Sequence, residues 1–199
     1  FTDRRQRQMC IRDRNDPVPF KVLDADDISR VNLGQDVPVI LSMTPSVNIT
    51  SDAGNGIGYT GMSIRGSDGS RINVTINGVP LNDSESHATY WVDLPDFASS
   101  ISSIQIQRGV GTSTNGAGAF GGSINVSTKK QSQAPKFKLS NSFGSYGTLK
   151  NSISFSTGRV GKYFELSGNL SKIYSDGYID RASSNLKGYF LQGSYYKDR

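Results

Sequence analysis

The residues best suited to chemistry lie in one short polar segment. His87 is the only histidine among 199 residues, and Glu85 lies two positions before it. Two ligands are too few for a zinc site, and a Ser-His-acid triad is defined by spatial geometry rather than by adjacency in sequence. The neighbouring acids Asp26 and Asp27 are better explained as helix-start residues, because carboxylates stabilise helix N-termini. The sequence therefore predicts no catalytic or metal site, no cofactor and no enzymatic activity.

A glycine-rich stretch matches a nucleotide-binding spacing but lacks the required context. Gly116, Gly118 and Gly121 fit G-x-G-x-x-G, a motif that needs a strand before it and a helix after it. The residues that follow, SINVST at 123–128, alternate apolar and polar types and predict a strand. We therefore interpret residues 104–128 as two strand segments around tight glycine turns, and nucleotide binding is not predicted.

Composition excludes several further classes. Nine Tyr and nine Phe argue against disorder, although the hydrophobic fraction is only 35%. No run of about 18 apolar residues occurs, so no transmembrane helix is predicted. The net charge is +5, but residues 1–14 hold five Arg against two Asp, which leaves the remaining residues nearly balanced. Nucleic acid is therefore not expected as a partner.

Residues 1–14 (FTDRRQRQMCIRDR) are interpreted as a segment that is not native to the domain. Part of this segment resembles translated sequencing adapter, and it holds the only cysteine, Cys10. Without Cys10 the chain has no disulfide, no cysteine-ligated zinc and no catalytic thiol. The segment also lacks the apolar core of a signal peptide, and we expect that the true start of the chain is missing.

Four motifs follow one another in order between residues 17 and 130. They are Ser63-Ile64-Arg65-Gly66, then Ile72–Ile76 with Asn77-Gly78-Val79-Pro80, then Ile104-Gln-Ile-Gln-Arg108-Gly109, and then Gly121-Gly122-Ser-Ile-Asn-Val. Together they resemble the plug domain of TonB-dependent outer-membrane receptors. The resemblance implies an α+β fold with a small mixed sheet and short helices, which we assign to residues 15–130. Gln105 and Val110 depart from the residues common in the family, so a glutamate salt bridge at this motif is not assumed.

Local patterns predict two short helices near the start of this region. Acidic residues favour a helical turn over residues 24–29. Asn32 is predicted to be the N-cap of a second helix, in which Val37, Ile40 and Leu41 share one face. Pro45 is expected to end that helix.

The pattern changes after a linker at residues 131–135, and four runs of alternating residues follow. Phe164, Leu166 and Leu170 share one face of the third run, opposite the polar residues between them. Alternation of this kind with terminal aromatic residues is typical of transmembrane β-strands, but a soluble sandwich also buries one face of each strand. The position behind a plug-like domain favours the membrane interpretation. We therefore predict that residues 131–199 are the first antiparallel strands, about four, of a transmembrane β-barrel.

Four strands are too few to close such a barrel. Plugged transporters of the outer membrane use about 22 strands, and an open edge facing lipid leaves backbone groups unpaired. We expect the chain to be part of a longer receptor, and residues 136–199 alone are not expected to insert as a stable barrel.

The resemblance implies gated uptake across the outer membrane of a Gram-negative bacterium. Such receptors bind a scarce nutrient, which is an iron chelate, a corrinoid, a glycan or a peptide, and the TonB energy-transducing complex pulls on the plug. The expected partners are the nutrient, the TonB complex, outer-membrane lipid and a surface-exposed substrate-binding lipoprotein. No TonB-box segment is recognisable before Pro17. The competing prediction is a secreted β-rich adhesin or glycan-binding module without transport, whose strands would close as a soluble sandwich.

The resemblance also nominates site residues in two loops, 51–59 and 82–91, which face outward in the family. The predicted ligand-binding residues are Asn55, Tyr59, Asp83, Glu85, His87, Tyr90 and Trp91. Aromatic rings supply flat apolar contact, and polar groups fix the orientation of a ligand. Arg65 and Arg108 match arginines that lock the plug to carboxylates of the barrel wall, and those carboxylates would lie in strands that follow. A local role at a strand end is the alternative for both arginines.

Overall fold

The structure is a computed structural model that describes residues 20–110, 118–129, 132, 134–161 and 163–196. The described residues form two short helices and eleven strands. The helices are α1 Ala25–Val31 and α2 Val37–Leu41. The strands are β1 Phe20–Asp24, β2 Val47–Ser51, β3 Thr60–Ile64, β4 Ile72–Ile76, β5 Val79–Pro80, β6 Ile101–Arg108, β7 Gly122–Thr128, β8 Lys136–Phe143, β9 Leu149–Ser156, β10 Phe164–Ser175 and β11 Ser184–Tyr195. Single 3₁₀ turns cover Gly69–Arg71, Trp91–Asp93 and Phe97–Ser100.

The first seven strands form a five-stranded sheet and a separate hairpin. The sheet has the order β1-β6-β7-β4-β5, in which β4 and β7 are parallel and the other neighbours are antiparallel. The predicted small mixed sheet with short helices is therefore confirmed. Asn77 and Gly78 both have positive φ, at 52° and 85°, and connect β4 to β5 as Asn-Gly turns do. We refer to residues 20–129 as the plug region.

The core of the plug region lies between the mixed sheet, the two helices and the β2–β3 hairpin. Ile104, Ile106 and Ile124 on the central strands are fully buried, and Ile28 and Leu41 pack against them from the helices. Each such side chain stabilises the fold by about 1.5–3 kcal/mol relative to an exposed one. The strand β7 follows the glycine-rich stretch, so the strand predicted at residues 123–128 is confirmed.

The predicted cap of the second helix was wrong. The helix α2 begins at Val37 with Asp36 as its N-cap. Pro38 forces this start, because proline is tolerated only in the first turn of a helix. The Asn32 side chain, five positions before the first residue of the helix, instead accepts a hydrogen bond from the Gly34 amide at 3.3 Å.

The strands β8 to β11 form an antiparallel meander that we call the wall sheet. Its two faces have opposite environments, as the alternation predicted. On β10 the apolar Phe164, Leu166 and Leu170 are 61%, 46% and 46% exposed, whereas the polar Glu165 and Asn169 are 3% and 5% exposed. The polar face is buried because the plug region packs against it. None of the described helices is long and apolar enough to cross a membrane.

Candidate functional site

The loop between β2 and β3 contacts one end of the wall sheet. Asn55 Nδ2 donates to Ser175 Oγ at 2.7 Å, and the backbone N–H of Tyr178 donates to the carbonyl of Ala53 at 2.8 Å. Glycines with positive φ at 54, 56 and 58 shape this loop, and a Cβ at Gly58 would lie 2.9 Å from Ser184 Oγ. Tyr59 is 65% exposed beside it. Two of the predicted ligand residues therefore lie where the plug region meets the end of β10.

The second predicted loop is ordered by its own side chains. Asp83 Oδ1 accepts hydrogen bonds from the amides of Glu85 and Ser86 at 3.0 and 2.7 Å. These bonds, with the Ser86 hydroxyl, lower the pKa of the exposed Asp83 carboxyl. His87 has a φ of 57°, and its carbonyl accepts a bond from Asn82. Glu85, His87 and Tyr90 are exposed.

Trp91 does not lie on a ligand-accessible surface. Its side chain is only 4% exposed and belongs to the hydrophobic core of the plug region. Trp91 also lines a cavity of about 340 Å³ between the β2–β3 hairpin and residues 88–91. Asn55 and Tyr59 are not among the residues that line this cavity. The burial of Trp91 favours a packing role, and its predicted contact with a ligand stays a prediction.

Arg65 and Arg108 lie near each other at the opposite end of the hairpin. Arg65 Nη1 is 3.0 Å from the place where a Cβ on Gly109 would stand, and Arg108 Nη1 donates to the Pro45 carbonyl at 3.4 Å. Neither guanidinium forms an ion pair with a carboxylate of the described residues. The Nε of Arg108 is buried and finds no acceptor within that same part of the chain.

A buried ion pair joins the plug region to the wall sheet instead. Lys150 Nζ on β9 lies 2.5 Å from Asp96 Oδ1, and the two side chains are 3% and 0% exposed. Asn169 Nδ2 on β10 donates to the other carboxylate oxygen at 3.2 Å, and the Ser99 hydroxyl donates to Oδ1. Lys150 also donates to Asn32 Oδ1 at 3.3 Å. Both charges are thus paired and hydrogen-bonded away from water.

Sequence reasoning did not find this contact. Its only local signal is a lysine on the polar face of a wall strand, and that face carries other lysines too. The segment around Asp96 carries no pattern from which this contact could be predicted. Asp96 precedes a 3₁₀ turn in the left-handed conformation, with φ 53°. Asp96 and Lys150 meet only because the fold packs the plug region against the wall sheet, and no sequence spacing predicts that packing.

Close backbone packing reinforces the ion pair. A Cβ on Gly188 of β11 would stand 2.6 Å from the Pro95 carbonyl oxygen, so only glycine allows the plug region to approach this closely. Next to it, the Phe97 and Phe190 rings meet edge to face with centroids 5.9 Å apart. Residues 95–99 are therefore a firm point of attachment between plug region and wall sheet.

A buried carboxyl group lies under the glycine loop. Asp36 is 3% exposed, and its Oδ2 accepts a hydrogen bond from Thr60 Oγ1 at 2.9 Å. Burial raises the pKa of Asp36 from 3.8 to about 7, although the Thr60 bond opposes the shift. The carboxyl group consequently changes charge close to neutral pH.

A cavity lies between the plug region and the wall sheet. Its volume is about 450 Å³, and serine hydroxyls together with Lys129, Lys136 and Lys138 line it. The described residues offer no group of three or more His, Cys, Asp or Glu side chains that could hold a metal ion.

Known receptors share both the sequence signature and the fold. The model of the TonB-dependent Receptor Plug Domain matches residues 12–123. No curated protein sequence matches the chain significantly. Among solved structures, FpvA of P. aeruginosa with an iron–pyoverdine complex superposes with a TM-score of 0.72 at 15% identity, covering 89% of this chain and 23% of that one. The ferric-catecholate import receptor Fiu of E. coli K12 gives 0.70 at 17% identity, covering 89% and 24%.

A third receptor supports the same fold. FyuA of Yersinia pestis, the ferric yersiniabactin uptake receptor, has a TM-score of 0.64 at 19% identity, with coverage of 88% and 27%. The chain thus spans about a quarter of the length of these receptors. Identities this low establish the fold alone. The family model, however, covers more than half of the residues, and the chain belongs to the TonB-dependent receptor plug domain family.

Proposed function

We propose that this chain forms the plug and the first wall strands of an outer-membrane receptor that imports a scarce nutrient. The protein is a transporter rather than an enzyme, and it resides in the outer membrane of a Gram-negative bacterium. The remaining wall strands and the coupling segment belong to the longer receptor of which this chain is part. The domain limits remain as predicted, with a non-native segment at 1–14, the plug at 15–130 and the wall from 131.

The observation that carries the proposal is the inverted polarity of the wall sheet. On β10 the buried face is mostly polar, with Glu165 and Asn169, and packs on the plug region, whereas the exposed face carries the apolar Phe164, Leu166 and Leu170. A soluble sandwich would bury the apolar face in a core, so the exposure of Leu166, Leu170 and Leu191 at 46–59% disfavours the adhesin alternative. A lipid-facing wall around a polar lumen accounts for both faces.

The proposed ligand surface is the end of the plug region at which loop 51–59 meets the wall sheet. Tyr59 and Asn55 offer aromatic and polar contacts there, and the exposed residues of the second loop, namely Asp83, Glu85, His87 and Tyr90, are proposed as further ligand contacts. Arg65 and Arg108 remain proposed as contacts with wall carboxylates, and the unpaired Nε of Arg108 supports this role.

The proposed cargo is a metal chelate, of which an iron chelate is the first choice. Similar structures include receptors for ferric siderophores and a copper transporter; a corrinoid, glycan or peptide is the alternative. Uptake is energised by the TonB complex, and a surface-exposed substrate-binding lipoprotein is a further proposed partner.

Uptake by the intact receptor in iron-starved cells tests the proposal. The probes are radiolabelled iron complexes of pyoverdine, yersiniabactin and a catecholate, supplied to cells with and without functional TonB. We expect TonB-dependent accumulation of at least one probe, and Tyr59→Ala should weaken its binding. Tyr195→Ala is the matched control, because Tyr195 is 62% exposed on the outward face of the wall sheet, at the end far from loop 51–59.

Two results would contradict the proposal. One is recovery of the receptor in the soluble fraction rather than with the outer membrane. The other is uptake of the probes, or of a corrinoid, glycan or peptide panel, that is the same with and without TonB.

A further inference from the structure

A single row of polar residues crosses the outward face of the wall sheet. In this row Asn141 pairs with Asn151, Asn151 with Lys172, and Lys172 with Lys187, on four adjacent strands. All four side chains are exposed. The next row towards the middle of the strands is apolar or aromatic, with Leu139, Ile153, Leu170 and Tyr189. Two cationic amines therefore stand side by side at the border of an apolar surface.

This lysine pair forms no ion pair with a carboxylate of the described residues, and Asp176, the acid that follows β10, accepts a hydrogen bond from Tyr174 instead. Neither Lys172 nor Lys187 forms an ion pair or hydrogen bond with the described residues. The four wall strands contain a single acidic residue, Glu165, which is buried on the inward face. Like charges directly opposite each other on neighbouring strands repel. The arrangement is unfavourable unless an external anion lies between the amines.

The position of the pair along the strand indicates where that anion comes from. Aromatic residues mark both ends of the outward face, with Phe164 against Tyr195 at one end (ring centroids 5.1 Å apart) and Tyr174 at the other. Ten residue steps at about 3.3 Å and a tilt of about 40° give a height of roughly 25 Å, the thickness of an outer-membrane apolar band. Lys172 lies two residues inside the Tyr174 end. A lysine there extends its amine to the headgroup level while its methylene stem stays in apolar surroundings.

The end of the strand near Lys172 also identifies the leaflet. Ser175, three residues beyond Lys172, hydrogen-bonds Asn55 in the loop that we propose to face outward. The lysine pair therefore lies near the outer leaflet, whose glycolipid carries phosphate groups in Gram-negative bacteria. Phosphate is also the anion that two adjacent amines can share.

We propose that Lys172 and Lys187 form a binding site for the phosphate of an outer-leaflet glycolipid. The inference rests on the proposed membrane location and adds a lipid partner to it. The amines bind the phosphate, Tyr189 and Leu170 contact the acyl region, and the repulsion between the two lysines is relieved by the bound anion.

Lipid binding by the intact receptor tests the site. Purified receptor in detergent is titrated with diphosphoryl lipid A, and bound lipid is counted by native mass spectrometry. We expect K172Q/K187Q to bind lipid A about 30-fold more weakly, equal to about 2 kcal/mol, at about 1 kcal/mol for each lysine near an anionic surface. K172R/K187R should bind as the wild type does, because it keeps both charges.

The matched control is K136Q/K138Q, which removes the same charge from the inward face of β8 and should leave lipid binding unchanged. Equal binding by K172Q/K187Q and wild type, or equal weakening in the control, would overturn the site. Loss of the lysine pair relieves repulsion, so we expect the variant to be at least as stable as wild type in urea. Cell fractionation separates the two hypotheses. If the receptor is found in the outer membrane but K172Q/K187Q binds lipid A as the wild type does, only this inference is refuted. If the receptor is found in the soluble fraction, the proposed function is refuted.

Discussion

Replacing Lys150 by Met should destabilise the attachment of the plug region more than any surface substitution does. Methionine keeps most of the volume of the lysine stem, which passes within about 3.0 Å of the Cβ position of Gly34. The change leaves the Asp96 carboxylate, 0% exposed, with only Ser99 and Asn169 as donors. Breaking a buried pair by removing one partner costs about 3–5 kcal/mol, so we expect a loss of unfolding free energy in that range.

Trp91 offers a direct measurement of this loss. It is the only tryptophan of these 199 residues, is 4% exposed, and lies in the same core as the attachment turn. Urea unfolding of detergent-solubilised receptor, followed by hydrogen exchange of the peptide that contains Trp91, gives the unfolding free energy of the plug region in each variant. Lys138→Met is the control, because Lys138 is exposed; its cost should stay within about 0.5 kcal/mol.

A double-mutant cycle isolates the interaction between the two charges. Asp96→Asn preserves the left-handed backbone, which asparagine tolerates, and leaves Lys150 without its counter-charge. We expect the double variant to lose about 1–3 kcal/mol less than the sum of the single variants. A cost below about 1 kcal/mol for Lys150→Met, or additive costs in the cycle, would refute the reasoning.

Three further predictions follow from single residues. Burial raises the pKa of Asp36 from 3.8 to about 7, so this group stabilises the fold fully below pH 3.8 and that stabilisation is lost as the pH rises to about 7. Asp36→Asn removes the titrating group and should abolish this pH-dependent fall in unfolding free energy, which is up to about 4 kcal/mol. Urea titrations at successive pH values measure it. Gly188→Ala should cost about 1–3 kcal/mol because its Cβ would meet the Pro95 carbonyl, whereas Gly193→Ala, with nothing within 4 Å, should be neutral in the same assay. Asp83→Ala should lower the protection of the Ser86 amide, meaning its intrinsic exchange rate divided by its observed rate at the same pH, and acidification through the lowered pKa of Asp83 should also lower this protection in wild type; unchanged protection would contradict the role of its carboxylate.

Features encoded by neighbouring residues were predictable from sequence. The period of two on β10 predicted which side chains face outward, because one residue step in a strand always reverses the face. The Asn77-Gly78 pair predicted a strand end, since both residues accept positive φ. The four ordered motifs predicted the plug fold, and the family model confirms it.

Features that depend on contacts between distant parts of the chain were not predictable from sequence. Asn32 has the side chain of a helix cap, yet Pro38 moves the start of α2 to Val37. Trp91 was assigned to a ligand surface because large aromatic residues in long loops frequently bind, whereas here the ring fills the core. Asp96 and Lys150 are 54 positions apart, and only the packing of plug region on wall sheet brings them together. The loop residues all stay predictions as ligand contacts, since ligand binding has not been measured.

The edge position of β1 has a mechanical consequence. It is a five-residue strand at the border of the mixed sheet, paired only with β6 from Phe20 opposite Gln107 to Asp24 opposite Ser103. A pulling force on the residues before Phe20 therefore acts on the hydrogen bonds between β1 and β6 before it acts on any other strand pair of the sheet. The strands β6 and β7 and the turn at residues 95–99 lie further from this edge. A modest force can therefore detach β1 while the rest of the plug region stays in place.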